Sequence, residues 1–201
     1  VTASQVLDHA LRYRGYWGKK GGITVSGGEP LLQIDFVTEL FEQAKARGIH
    51  TCLDTAGNPF ARQNPFFKKM EKLIRVTDLF LLDLKEMNEA IHRQLTGWTN
   101  RNILELALWL SENGKKMWIR HVLVPGWTDQ EEDLRRMAEF AASLKTLRRL
   151  EVLPYHTMGV GKWEKLRIPY SLKGVKPPTK EQERRANEIL NTAAYQGYLE
   201  D

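Results

Sequence analysis

Ile23-Thr24-Val25-Ser26-Gly27-Gly28-Glu29-Pro30 is a short β-branched run that stops in two glycines, a carboxylate and a proline. β-Branched residues suit a pleated strand. The glycines permit positive φ and a close approach to backbone, and the proline fixes the chain beyond them. The same pattern recurs along the chain. His50-Thr51-Cys52-Leu53 runs into Asp54-Thr55-Ala56-Gly57, and Leu79-Phe80-Leu81-Leu82 into Asp83-Leu84-Lys85. Trp118-Ile119-Arg120-His121-Val122 runs into Leu123-Val124-Pro125-Gly126, and Leu150-Glu151-Val152-Leu153 into Pro154-Tyr155-His156. Polar groups after successive parallel strands are how an α/β barrel assembles one site at its C-terminal rim.

Helical periodicity fills the gaps. Thr2 and Gln5 have capping-box spacing ahead of Val6, Leu7, Ala10 and Leu11, and the stretch Gly18-Lys19-Lys20-Gly21-Gly22 breaks that first helix. Residues 34–47 carry Phe36, Leu40, Phe41 and Ala44 on one face, with Gly48 as the stop. Further helices are predicted around 65–74, 88–95 and 103–111. Thr128-Asp129-Gln130-Glu131 has capping spacing for a helix reaching about Leu144, and residues 179–194 close the chain as a charged amphipathic helix. Residues 157–178 read as a long loop, a place for a lid or partner contacts. Strands alternating with helices predict an α/β fold with a parallel sheet. A closed eight-fold barrel takes about 250 residues, so 201 residues favour one domain holding a partial (β/α) barrel or an open sheet.

Composition narrows the function classes. Hydrophobic content of 42% and charged content of 27% are ordinary for a globular chain. No apolar run approaches the roughly 18 residues of a membrane span. The net charge of +5 comes from basic residues interleaved with acidic ones, unlike the one-faced basic stripe of nucleic-acid binders. The single cysteine, Cys52, excludes an internal disulfide framework, fits a reducing cytoplasm and sits in an apolar strand where packing explains it. The five His are dispersed, without the pairing of a zinc site.

Glu29, Asp54, Asp83, Lys85, Arg120 and His156 are the candidates for chemistry. Charges at the ends of apolar strands need a partner or a ligand. Alternation puts Asp83 and Lys85 on one side of an extended chain, where they can bind the amine and carboxylate of an amino acid or form a salt bridge locking the rim. Adjacent in one strand, Arg120 and His121 must face opposite sides. Asp54 can alternatively cap a helix.

In this order, the Gly-Gly-Glu-Pro turn, Asp-Thr-x-Gly, Leu-Asp-Leu-Lys, Trp-Ile-Arg with Val-Pro-Gly-Trp, and Leu-Pro-Tyr-His resemble the radical S-adenosylmethionine superfamily, specifically the activating enzymes of glycyl radical enzymes. The resemblance implies a partial (β/α) barrel and a 4Fe-4S cluster held by a Cys-x3-Cys-x2-Cys loop. It also implies S-adenosylmethionine cleaved by one electron, and a hydrogen atom taken from a glycine of a partner enzyme. It assigns Gly27, Gly28 and Glu29 to the methionine amine, Asp83, Leu84 and Lys85 to its amine and carboxylate end, Arg120 near the carboxylate, and His156 to the nucleoside side. Asp54, Thr55 and Asp83 match positions for a monovalent cation. The implied partners are a glycyl radical enzyme, with pyruvate formate-lyase favoured by residues 83–88 and 120–127, and an electron donor such as flavodoxin or ferredoxin; neither nucleic acid nor membrane is expected. Two departures stand out. The cysteine motif is absent, so the expectation is a barrel portion lacking its first strand and cluster loop and unable to bind the cluster. Ala56 stands where the family pattern has Asn. A cluster-free adaptor barrel and an aldolase-like enzyme using Lys85 as a Schiff-base residue remain open alternatives at this point.

Overall fold

The computed structural model describes residues 1–18 and 21–199; Lys19 and Lys20, in the break after the first helix, lie outside the described residues. Five strands form one parallel sheet in chain order: β1 (Gly22–Val25), β2 (His50–Thr55), β3 (Leu79–Asp83), β4 (Lys116–Leu123) and β5 (Leu147–Pro154). Between them run α1 (Ala3–Leu11), α2 (Ile34–Ala46), α3 (Phe66–Val76), α4 (Glu89–Thr96), α5 (Arg101–Glu112) and α6 (Glu131–Ser143); α7 (Val160–Lys165) and α8 (Lys180–Leu190) follow β5. Consecutive pairing with helical crossovers is a singly wound sheet, an incomplete barrel whose outer edges are β1 and β5.

Alternation along each strand sorts the two faces. Phe80, Leu82, Met117, Ile119 and Leu123 are buried and join Leu40, Phe41, Leu106 and Leu134 of the helices in one core. Asp54, Leu81, Asp83, Trp118, Arg120 and Glu151 alternate with them and line the opposite, half-exposed inner face. Register aligns Leu81 with Trp118, and Asp83 with Arg120 and then Glu151, so the inner face carries rungs of side chains ending at the C-terminal rim.

The predicted cap at Thr2 with Gln5 forms as a reciprocal capping box, and the closing helix carries a second one, Thr179 with Gln182. The box predicted at Thr128 does not form. Thr128 is buried, and its hydroxyl donates to Val122 O at 2.7 Å and accepts from Val124 N–H at 2.8 Å, tying the turn after β4 to its own strand. Asp129 accepts from Gly126 N–H instead, and α6 starts at Glu131 behind Gln130 with no side-chain cap. The closing helix ends at Leu190, short of residue 194, because Asn191 turns left-handed at φ 50°.

Residues 157–178 are built rather than loose. A 3-10 turn (Thr157–Gly159) leads into α7, and the segment folds back so that the Tyr155 and Tyr170 hydroxyls lie 2.7 Å apart and the Trp163 and Tyr170 rings 5.6 Å apart. Together with Ile168 these residues line a cavity of about 440 Å³.

Candidate functional site

Glu29, Asp54, Asp83, Lys85 and Arg120 all stand at the C-terminal rim, but in two separate groups. Asp54 at the end of β2, Asp83 at the end of β3, Lys85 just beyond it and Arg120 on β4 form one ion-paired cluster. The Arg120 Nε and one terminal nitrogen donate to Asp83 Oδ1 at 3.1 and 2.8 Å, and the same terminal nitrogen donates to Asp54 Oδ1. Lys85 Nζ donates to Asp83 Oδ2 at 2.8 Å. Side-chain exposures are about one fifth for Asp54, Asp83 and Arg120 and one third for Lys85, so the cluster opens to the inner face.

The electrostatics follow from that partial burial. Desolvation raises the Asp54 carboxyl above its ordinary value despite Arg120, with the like charge of Asp83 adding to the rise. Burial also opposes the Arg120 charge, yet Asp83 and Asp54 together hold its pKa above the ordinary value. A guanidinium flanked by two carboxylates, with an ammonium alongside, presents both signs of charge within one opening.

Glu29 belongs to the second group. Its Oε1 accepts from Leu31 N–H at 3.0 Å and from the Thr55 hydroxyl at 2.5 Å, and its Oε2 accepts from Ala56 N–H at 3.0 Å. The carboxylate is a strut that pins the turn after β1 to the end of β2. Thr55 is buried on the face opposite Asp54, so its side chain is not brought to Asp54 and Asp83. Gly27 and Gly28 sit at φ 90° and 51°, with open space where a Cβ would stand, so conformation demands glycine here.

Leu84 contributes through its backbone. Its side chain is buried, and its N–H donates to Arg120 O at 3.0 Å, continuing the pairing of β3 with β4 past Asp83. His121 faces away from Arg120 as alternation requires; it is fully buried, with its ring nitrogens 3.3 Å from Leu84 O and 3.0 Å from Thr128 O. His156 is exposed beyond β5, and the structure shows no side-chain bond joining it to the cluster. Cys52 is buried and its thiol is pushed up to about 11, chiefly by desolvation, as a packing residue would be.

Sequence reasoning missed the supports behind the cluster. The Asn100 amide donates to Glu86 O at 3.1 Å and Met87 O at 2.8 Å, and Asn88 caps α4. Glu86 is 1% exposed, and nothing in its local sequence marks it as buried.

A five-stranded parallel partial barrel with a charged C-terminal rim is the architecture to which known proteins can now be compared. The family model described as the radical SAM superfamily matches residues 1–140, and the chain belongs to that superfamily. It is 52% identical over 197 residues to the pyruvate formate-lyase-activating enzyme of Streptococcus mutans, covering 98% of this chain and 75% of that protein. It is 42% identical over 191 residues to the pyruvate formate-lyase 1-activating enzyme of Escherichia coli K12, covering 94% and 76%. At these identities it falls within the pyruvate formate-lyase-activating enzymes. The crystal structure of a domain of pyruvate-formate lyase-activating enzyme from Bacteroides vulgatus superposes with a TM-score of 0.70 at 26% identity, covering 88% of this chain and 96% of that one. Streptococcus suis SuiB, at 18% identity and a TM-score of 0.70 over 98% of this chain and 41% of that one, shares the fold.

The rim residues fit S-adenosylmethionine, and the thiolates that hold a 4Fe-4S cluster are not among them. The amino-acid end of the cofactor is a zwitterion; the rim offers Arg120 and Lys85 for a carboxylate, Asp83 and Asp54 for an ammonium, and unfilled space beside Gly27 and Gly28. A cluster is held by several thiolates; Cys52 is the sole cysteine of the sequence, and no group of three or more His, Cys, Asp or Glu suited to a metal occurs among the described residues.

Proposed function

We propose that this chain carries the S-adenosylmethionine rim of an enzyme that activates pyruvate formate-lyase by generating a glycyl radical. Bound S-adenosylmethionine supplies, on one-electron reduction, the radical chemistry that removes a hydrogen atom from a glycine of the partner. The observation that carries the reading is the convergence of Asp54, Asp83, Lys85 and Arg120 from β2, β3 and β4 on one opening. Arg120 and Lys85 orient the cofactor carboxylate, and Asp83 orients its amine. Gly27 and Gly28 let the methionine end approach backbone, with Glu29 bracing their turn against β2. His156 and the segment 157–178 lie beyond β5, where the nucleoside and the partner would meet the rim.

The same reading puts a monovalent cation beside the cofactor at Asp54, Thr55 and Asp83, although the Thr55 side chain turns to Glu29, which leaves the two carboxylates as its side-chain ligands. Arg120 already bridges the two carboxylates, so a cation there shares them with the guanidinium. It also takes the cluster thiolates to lie outside residues 1–201, the electron to come from a flavodoxin or ferredoxin, and the setting to be cytoplasmic; no described helix is long and apolar enough to cross a membrane. The pairing of Lys85 with Asp83 speaks against the aldolase-like alternative, since a Schiff-base lysine must present a free amine.

Calorimetric titration with S-adenosylmethionine tests the site. Saturable binding is expected, weakened by about tenfold or more in Asp83→Asn, the loss of about 1.4 kcal/mol of contact. Undiminished affinity in that variant would remove Asp83 from the site. Iron and sulfide analysis after anaerobic reconstitution should find no stoichiometric cluster on residues 1–201; a full complement would overturn that part of the reading.

A further inference from the structure

The positive charge of the chain is concentrated in one stretch. Residues 157–178 hold five cations, Lys162, Lys165, Arg167, Lys173 and Lys176, against one acid, Glu164, a net +4 of the chain's +5. Elsewhere cations are spent on neighbours: Arg120 on Asp54 and Asp83, Arg184 on Glu181 and Glu188, Arg185 on Glu131. Among the described residues, Lys165, Arg167, Lys173 and Lys176 are exposed and have no acidic partner. Exposed charge of one sign in one short segment attracts a surface of the opposite sign.

The same segment holds apolar groups that the core does not take up. α7 ends in a tight reversal, in which Arg167 turns left-handed at φ 55° and Ile168 N–H donates back to Trp163 O at 3.0 Å. Trp163 and Ile168 both line the cavity of about 440 Å³, together with Tyr155, Tyr170 and the cationic Lys173. Tyr155 N–H donates to Leu123 O at 3.1 Å, which fixes this side of the cavity to the end of β4 beside the rim. Met158 and Leu166 of the same segment stand 82% and 68% exposed. Exposed apolar groups gathered in one segment and bordered by charge mark an interaction surface. Nucleic-acid grooves pair their cations with aromatic platforms, whereas Met158, Leu166 and Ile168 are not aromatic. An apolar anchor in a cavity with a charged border is how protein segments bind one another.

We propose that residues 157–176 are a docking surface for an acidic protein segment carrying one bulky apolar anchor. The anchor enters the cavity between Trp163, Ile168 and Tyr170, and carboxylates on either side of it meet Lys165, Arg167 and Lys173. The surface adjoins His156 at the end of β5, so its partner is held beside the rim. That this partner is the enzyme whose glycine is activated rests on the S-adenosylmethionine reading; the docking chemistry does not.

Fluorescence anisotropy on the full chain, with a labelled acidic peptide built around a central Phe, separates the two. Binding should saturate with a dissociation constant below about 1 mM and weaken as salt is raised. It should weaken about tenfold when the peptide's Phe is exchanged for Ser, and about tenfold again in the double variant Lys165→Glu, Lys173→Glu, whose two positions are exposed and unpaired. The bound peptide should also slow proteolysis within residues 157–176. No saturation, equal affinity for the Ser peptide or equal affinity in the double variant would each overturn the surface. Tighter capture by phosphatidylserine vesicles or by an oligothymidylate than by the peptide would overturn it in favour of a membrane or a nucleic acid. Peptide binding by a chain that fails to bind S-adenosylmethionine in calorimetry would keep the surface and sink the cofactor reading. Cofactor binding without peptide binding would sink the surface alone.

Discussion

On the inner side of residues 83–88, Asp83 and Lys85 stay one fifth to one third exposed; they pair with each other, and Asp83 pairs with Arg120 as well. On the outer side of the same six residues, Leu84 and Glu86 are 1% exposed, and their carbonyls meet the His121 ring and the Asn100 amide. Water can solvate the inner charges, so they can exchange partners with a zwitterionic ligand at modest cost. No water reaches the outer groups, so each must find a fixed protein partner or a proton. The contrast teaches that one short segment is divided into an ion-paired face open to water and a face fixed by packing, continuing the strand alternation of β3.

The comparison can be broken most forcefully at Arg120. Arg120→Met leaves Asp54 and Asp83 facing each other with only Lys85, on Asp83, as counter-charge. It should cost about 1–3 kcal/mol of stability and abolish measurable S-adenosylmethionine binding, as read by urea denaturation and calorimetry. Stability unchanged from the wild type would mean the inner ion pairs hold nothing together. Glu29→Ala removes acceptors for Leu31 N–H, the Thr55 hydroxyl and Ala56 N–H, and should cost about 2 kcal/mol; the denaturation midpoint reports it.

Glu86→Gln sharpens the outer side through pH. A carboxyl raised from 4.5 to about 7 by folding is protonated in the native chain while the unfolded chain has already ionised. Wild-type stability therefore declines relative to the glutamine variant as pH rises from 4.5 through 7, then levels. The difference above that window should be about 1–3 kcal/mol in favour of Glu86→Gln, and parallel denaturation curves at low and high pH would refute it. The smallest effect is expected far from both faces: Tyr170→Phe loses the bond to Tyr155 and should cost about 0.5–1.5 kcal/mol. Its consequence should be confined to residues 157–178, visible as faster proteolysis there.

Strand ends were the most legible part of the chain. Apolar runs stopping at Asp54 and Asp83 can be read because burial of a charge demands a partner, and period-two alternation told that Arg120, inside its strand, faces away from His121. The helix start at residue 128 was misread because Thr128 has two competing uses for its hydroxyl, and capping spacing alone cannot say which wins. Glu29 was read as a ligand group, whereas the fold brings Thr55 and Ala56 within its reach and occupies both oxygens.

By itself the sequence determined the parallel α/β order, the gathering of charge at the strand ends and the family, because each is written in local periodicity or in short motifs. Tertiary structure alone decided that Arg120 bridges Asp54 and Asp83, residues 66 and 37 positions away, and that Glu86 is buried with its backbone carbonyl on the Asn100 amide. Those facts depend on which strands and helices meet in space; a charged residue looks the same in sequence whether it ends in water or against another acid.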